Sequence, residues 1–153
     1  MARLILTTFG LLLILPSVAI AQVKITVPAH QYKVQEKIPA KVENKGNGAI
    51  TFCVEVGQTS SRDGEIESTP SPFWVQHSSN GKWGILLIGP DVGSLRAAMV
   101  LEAGESKEFP FRLHESGRMR LQLNYWRGSI PNLDCHAPPK GLKLVTSAVF
   151  TIN

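Results

Sequence analysis

Beyond Leu15 this 153-residue chain has no long apolar run, and sustained helical periodicity is scarce throughout the segment that follows residue 21. No later stretch approaches the ~20 consecutive apolar residues that span a bilayer. Cysteine is nearly absent, with only Cys53 and Cys135. The sequence also lacks a G-x-S-x-G elbow, a P-loop and a dinucleotide fingerprint, as well as C-x-x-C, H-x-H and H-E-x-x-H. A nucleophile elbow, a phosphate cradle and a zinc site each need such a spacing, so no catalytic residue, metal or cofactor is expected. Asp63, Glu65 and Glu67 gather in "SRDGEIES" without the ligand spacing of a calcium loop. The charges, 16 basic against 12 acidic, are scattered among turns and strand edges. A nucleic-acid binder concentrates its basic residues on one element or patch, so no nucleic-acid partner is expected.

At the N-terminus, "MARLILTTFGLLLILPSVAIAQ" reads as a secretory signal peptide over residues 1–21. Arg3 supplies the positive end, Leu4 to Leu15 the apolar region, and Ala19-Ile20-Ala21 the small-x-small cleavage site. Its apolar run is too short for a membrane anchor, and no cysteine follows for lipid attachment. The expected product is one domain, residues 22–153, secreted or periplasmic, with no transmembrane segment after cleavage.

Short runs with strand alternation, punctuated by Gly, Asn and Pro, fill that domain. "QVKITVPA" alternates Val23, Ile25 and Val27 against Lys24 and Thr26. "EKIPAKVEN" is followed by "KGNG" and "AITFCVEV", which reads as a hairpin whose Gly46, Asn47 and Gly48 accept positive φ. In "FWVQHSSNGKWGILLI", Asn80-Gly81 predicts a type I′ turn that sets Ser79 opposite Lys82 and Ser78 opposite Trp83. Trp74 then shares a face with Trp83. "EAGE" and "HESG" mark turns between three later strands, and Pro110 predicts an edge or a bulge. In "GRMRLQLNYW", Met119, Leu121, Leu123 and Tyr125 alternate with a wet face on which Arg118 and Arg120 are expected as solvated residues. The closing run offers Leu144, Ala148, Phe150 and Ile152 as its inward set. Seven to nine antiparallel strands in about 130 residues predict a β-sandwich, with a small closed barrel as the alternative.

The order of these pieces carries a resemblance. "YKVQEKIPAKVENKGNGAITF", "SSNGKWGILL", "LEAGESKEFPFRL" and "GRMRLQLNYW" resemble the successive strands and turns of bacterial immunoglobulin-like domains. They are also similar to the small immunoglobulin-like fold of the bacillus intracellular proteinase inhibitor family. The resemblance runs from about Tyr32 to Asn153 and implies an immunoglobulin-like sandwich. No reactive-site residue is carried over, because no inhibitor motif is matched.

In an oxidising compartment, the cysteine pair Cys53 and Cys135 is most simply a disulfide. The neighbours Asp134 and His136 raise two other readings, a Cys–His dyad and a zinc or copper site. A nucleophile needs its base close in space, and adjacent residues on an extended chain point apart. His30, His77 and His114 lie far off in the sequence. The function expected is a non-enzymatic binding module for an unknown protein or glycan partner. Loops 57–72 and 127–142 would make contacts, with Trp74, Trp83 and Trp126 as anchors. The alternative is a protease inhibitor that presents loop 57–72, with Arg62 as its specificity residue.

Overall fold

The computed structural model describes residues 23–56, 72–86, 95–137 and 139–153. Among these there is no helix, and eleven strands form two sheets. The strands are β1 (Val23–Thr26), β2 (Gln31–Tyr32), β3 (Ile38–Asn44), β4 (Ile50–Val56), β5 (Phe73–Ser79) and β6 (Lys82–Leu86). They continue with β7 (Leu95–Leu101), β8 (Ser106–Phe111), β9 (Gly117–Arg127), β10 (Lys143–Thr146) and β11 (Phe150–Ile152). The smaller sheet has the order β1-β3-β8. The larger is built around β9, and all its pairings are antiparallel except β2 with β11.

Strand β9 organises the larger sheet because it is long enough to serve four neighbours. On one side, residues 119–123 pair with β5 and residues 125–127 pair with β4. The larger sheet also receives β11 along residues 117–119 and β10 along residues 122–125. β4 continues past β9 to pair with β7, while β5 folds back on β6, so the sheet forks into two arms. The alternation of β9 determines its two faces. Met119, Leu121, Leu123 and Tyr125 are buried in the core shared by the two sheets, while Arg118, Arg120, Gln122, Asn124 and Trp126 point to the outer face. Phe109 of the smaller sheet meets Phe52 and Phe73 of the larger in edge-to-face contacts at 5.9 Å, which lock the layers together.

The Asn80-Gly81 hairpin has the expected register: Ser79 faces Lys82 and Ser78 faces Trp83, with φ of 50° and 75° at the turn. Pro110 lies on β8, an edge strand of the smaller sheet, opposite Pro39. Pro39 is tolerated in the middle strand because pairing with β1 stops at Lys41.

Three expectations are corrected. "KGNG" is not a hairpin, since β3 and β4 belong to different sheets, and neither Gly46 nor Gly48 takes a positive φ. Buried Asn44 organises that crossing. Its Nδ2 donates to the carbonyls of Gly48, Leu101 and Glu102 at 2.8–3.1 Å, and its Oδ1 accepts from the Gly46 amide. Second, Leu144 and Ala148 are exposed, whereas Phe150 and Ile152 are buried as expected. Between β10 and β11, Ser147 binds Leu121 through both its amide and its Oγ, so the strand changes phase there. Third, the strand count exceeds nine. That break divides the closing run in two, and Gln31–Tyr32 adds a short parallel strand.

Candidate functional site

Among the described residues, the outer face of the larger sheet has a covered half and an open half. The covered half lies where β4, β7 and the end of β9 meet. There Trp126 is 6% exposed and packs with Leu133, Cys135, Cys53, Ala98 and Ile130 under the loop that follows β9. Four ties hold that loop down. Thr51 Oγ1 donates to the Gly128 carbonyl at 2.8 Å and accepts from the Ile130 amide at 2.9 Å. Cys135 is bonded to Cys53, with 5.8 Å between their Cα atoms. Trp126 Nε1 donates to the Pro139 carbonyl at 3.1 Å. Asp134 Oδ1 accepts from the amides of His136 and Ala137, and these bonds, that from His136 first, hold its carboxyl below the ordinary carboxylate value.

The three adjacent residues Asp134, Cys135 and His136 therefore have separate fates. Cys135 carries no thiol, because both cysteines of the chain are in the disulfide. Asp134 shapes the turn, and His136 is exposed. No group of three or more His, Cys, Asp or Glu side chains able to hold a metal ion occurs among the described residues. Trp126 is taken up in the small apolar cluster rather than offered at the surface.

On the open half, the register of β5, β6, β9 and β10 brings together residues far apart in sequence. Trp74 lies beside Gln122, Gln76 beside Arg120 and also beside Ile85, and Leu144 beside Asn124. A continuous chain of side-chain hydrogen bonds runs across this surface. Arg120 Nε donates to Gln76 Oε1 at 2.6 Å, Gln76 Nε2 to Gln122 Oε1 at 2.7 Å, and Gln122 Nε2 to Asn124 Oδ1 at 2.9 Å. At the near end the Arg120 guanidinium lies 4.4 Å from the centre of the Trp83 ring. Each amide is oriented by its neighbour, so the polar groups have set directions before any ligand arrives. Exposed apolar side chains surround the row: Trp74 at 41%, Ile85 at 53% and Leu144 at 65%. Such a surface can stack an apolar ring face and hydrogen-bond its substituents.

Trp74 and Trp83 share this face, as their hairpin register implies. Arg120 is half-buried and held by two partners, which corrects its reading as a merely solvated residue. Gln76, Gln122 and Asn124 were not singled out from the sequence. The signal for them was the outward set of "GRMRLQLNYW", in which Arg, Gln and Asn follow one another at every second position. Arg62 and residues 57–71 of the proposed contact loop lie outside the described residues, as does the signal peptide. No helix among the described residues is long and apolar enough to cross a membrane.

No protein-family model and no curated protein matches the chain. A solved structure described as "AvmM Catalyzes Macrocyclization in Alchivemycin A Biosynthesis" is similar over 86% of this chain and 88% of that one, with 13% identity and a TM-score of 0.36. A likeness at that level bears on neither fold nor activity.

Proposed function

We propose that the chain is an exported, non-enzymatic binding module with an immunoglobulin-like sandwich fold, whose ligand seat is the open outer face of the larger sheet. The observation that carries this reading is the row Arg120–Gln76–Gln122–Asn124, hydrogen-bonded in sequence and bordered by Trp74 and Trp83. A solvated strand face ordinarily leaves its amides to water. Here they are tied to one another beside exposed indole, an arrangement suited to recognition. The fold assignment draws on two sheets around one core and on connections that cross between them at β3–β4, β7–β8 and β8–β9. The disulfide is in keeping with an oxidising compartment, secreted or periplasmic.

The test is retention of a panel of soluble polysaccharides and extracellular proteins on immobilised wild-type protein, beside W74A and Q122A. Near-UV circular dichroism establishes that both variants fold. A ligand class retained by wild type and lost by both variants supports the face. Retention that both variants leave unchanged overturns it.

A further inference from the structure

We infer that the ligand of this face is a uronate-bearing polysaccharide, a step that rests on the binding-module reading and names its substrate class. The anatomy of the surface argues first for a glycan. A protein interface has an apolar, desolvated centre within a polar rim. Here the order is reversed. Gln76, Arg120 and Gln122 occupy the middle, while Trp74, Trp83, Ile85 and Leu144 stand around them. A carboxamide offers a carbonyl acceptor and two N–H donors side by side, matching hydroxyls that both give and accept. An exposed indole supplies a flat apolar face for the C–H side of a sugar ring. Four strands, β6, β5, β9 and β10, lie abreast, and three inter-strand steps make about 14 Å, room for a short run of sugar units.

Charge then selects among glycans. Among the described residues, the outward positions of β5, β6, β9 and β10 carry Arg118 and Arg120 and no Asp or Glu. Of the strand acids, Glu43 on β3 and Glu108 on β8 belong to the smaller sheet, and Glu55 lies on the β4–β7 arm of the larger. At the centre of this face, Arg120 gives Nε to Gln76 and stacks on Trp83. Its plane is thereby held, and the guanidinium carries four further N–H groups in the fork that suits a carboxylate. A neutral glycan would use the amides and the indole alone. A uronate uses the arginine as well.

The test titrates the purified protein with polygalacturonate and with the same polymer fully methyl-esterified, so that backbone and hydroxyls are constant and only the carboxylate charge is masked. Wild type is expected to bind polygalacturonate, with affinity falling about tenfold for the methyl ester and about tenfold for R120Q, the loss of one charge-assisted hydrogen bond. W74A weakens both polymers. K24Q removes the same charge from exposed Lys24 on the smaller sheet and leaves affinity within about twofold. Equal affinity for the acid and the ester overturns the uronate assignment and leaves the binding face standing. Equal losses in K24Q and R120Q overturn it too, because net charge alone would then explain binding. Binding of neither polymer also overturns it, and the retention panel with W74A and Q122A then decides separately whether the face binds anything.

Discussion

The guanidinium of Arg120 lies 4.4 Å from the ring centre of Trp83, a residue 37 positions earlier in the chain, and the β5–β6 hairpin is what brings them together. The contact orders a surface more than it stabilises a fold. R120M should lower unfolding free energy by about 1–2 kcal/mol, the scale of a cation–π contact and a hydrogen bond at a half-buried site. It should also alter tryptophan emission, because a cation leaves the indole face. Urea melts and emission spectra check both. A loss of several kcal/mol would mean that Arg120 is part of the structural framework.

The disulfide should matter mostly for the covered half of the sheet. C53A/C135A removes a link between residues 82 apart, which the chain-entropy model values at about 4–5 kcal/mol. The loop above Trp126 then loses one of its ties, and water gains access to the indole. A thermal melt should show the lost stability. Trp126 emission should shift to the red under native conditions, with W126F as the reference that identifies the signal.

Asn44 holds the crossing from β3 to β4 against the β7–β8 turn. N44A leaves the carbonyls of Gly48, Leu101 and Glu102 and the amide of Gly46 without this partner. Orphaning buried polar groups costs about 1–3 kcal/mol each where water cannot enter, so a total loss of about 2–4 kcal/mol is expected by denaturant titration. Faster amide exchange near Gly104, whose amide is bonded to the Asn44 carbonyl, should accompany it.

Gly117 opens β9 at φ 128°, and a Cβ there would stand 2.6 Å from His77 Nε2. G117A therefore meets both backbone strain and a clash, and should cost about 1–3 kcal/mol. H77A removes the clash but not the φ. In a double-mutant cycle, G117A should cost less on the H77A background and still be destabilising. Equal costs on the two backgrounds would show that the imidazole simply moves aside.

Two carboxylates bias the acid limb of stability. Glu43 lies below the ordinary 4.5 because of hydrogen bonds from Lys41 and then Thr26, and Asp134 below 3.8 because of the His136 and Ala137 amides. A native value depressed below the unfolded one means that the unfolded chain takes up protons first. The contribution is thus complete above the ordinary value and is lost as pH falls through the depressed one. Denaturant melts from pH 6 to pH 2 should show E43Q flattening the decline below about pH 4.5 and D134N below about pH 3.8, with no effect on the slope above those values.

Several features were legible because they are local. The alternation of "GRMRLQLNYW" identified its buried face, and Asn80-Gly81 specified a hairpin register, since two residues with positive φ determine which neighbours meet. The cysteine pair was legible by counting. Others failed for want of information about partners. Leu144 has the pattern of an inward residue, yet the change of phase around Ser147 turns it outward. "KGNG" carries hairpin residues, but β3 finds its partners in β1 and β8, and β4 finds its own in β7 and β9. Trp126 is an outward residue of β9 that only a loop folded back over the sheet could bury.

By itself, then, the sequence determined the all-β character, the inward faces of β1 and β9, the Asn80-Gly81 hairpin and the cysteine pairing. Each follows from a period of two, from backbone preferences at a turn or from the count of one residue type. Only the tertiary structure decided which half of the outer face is open. It also decided that Gln76, Arg120, Gln122 and Asn124 form one bonded row, because the Arg120–Gln76 bond joins residues 44 apart in sequence. Strand pairing is a long-range choice made by the whole core, and the candidate site exists only once β5 has docked on β9.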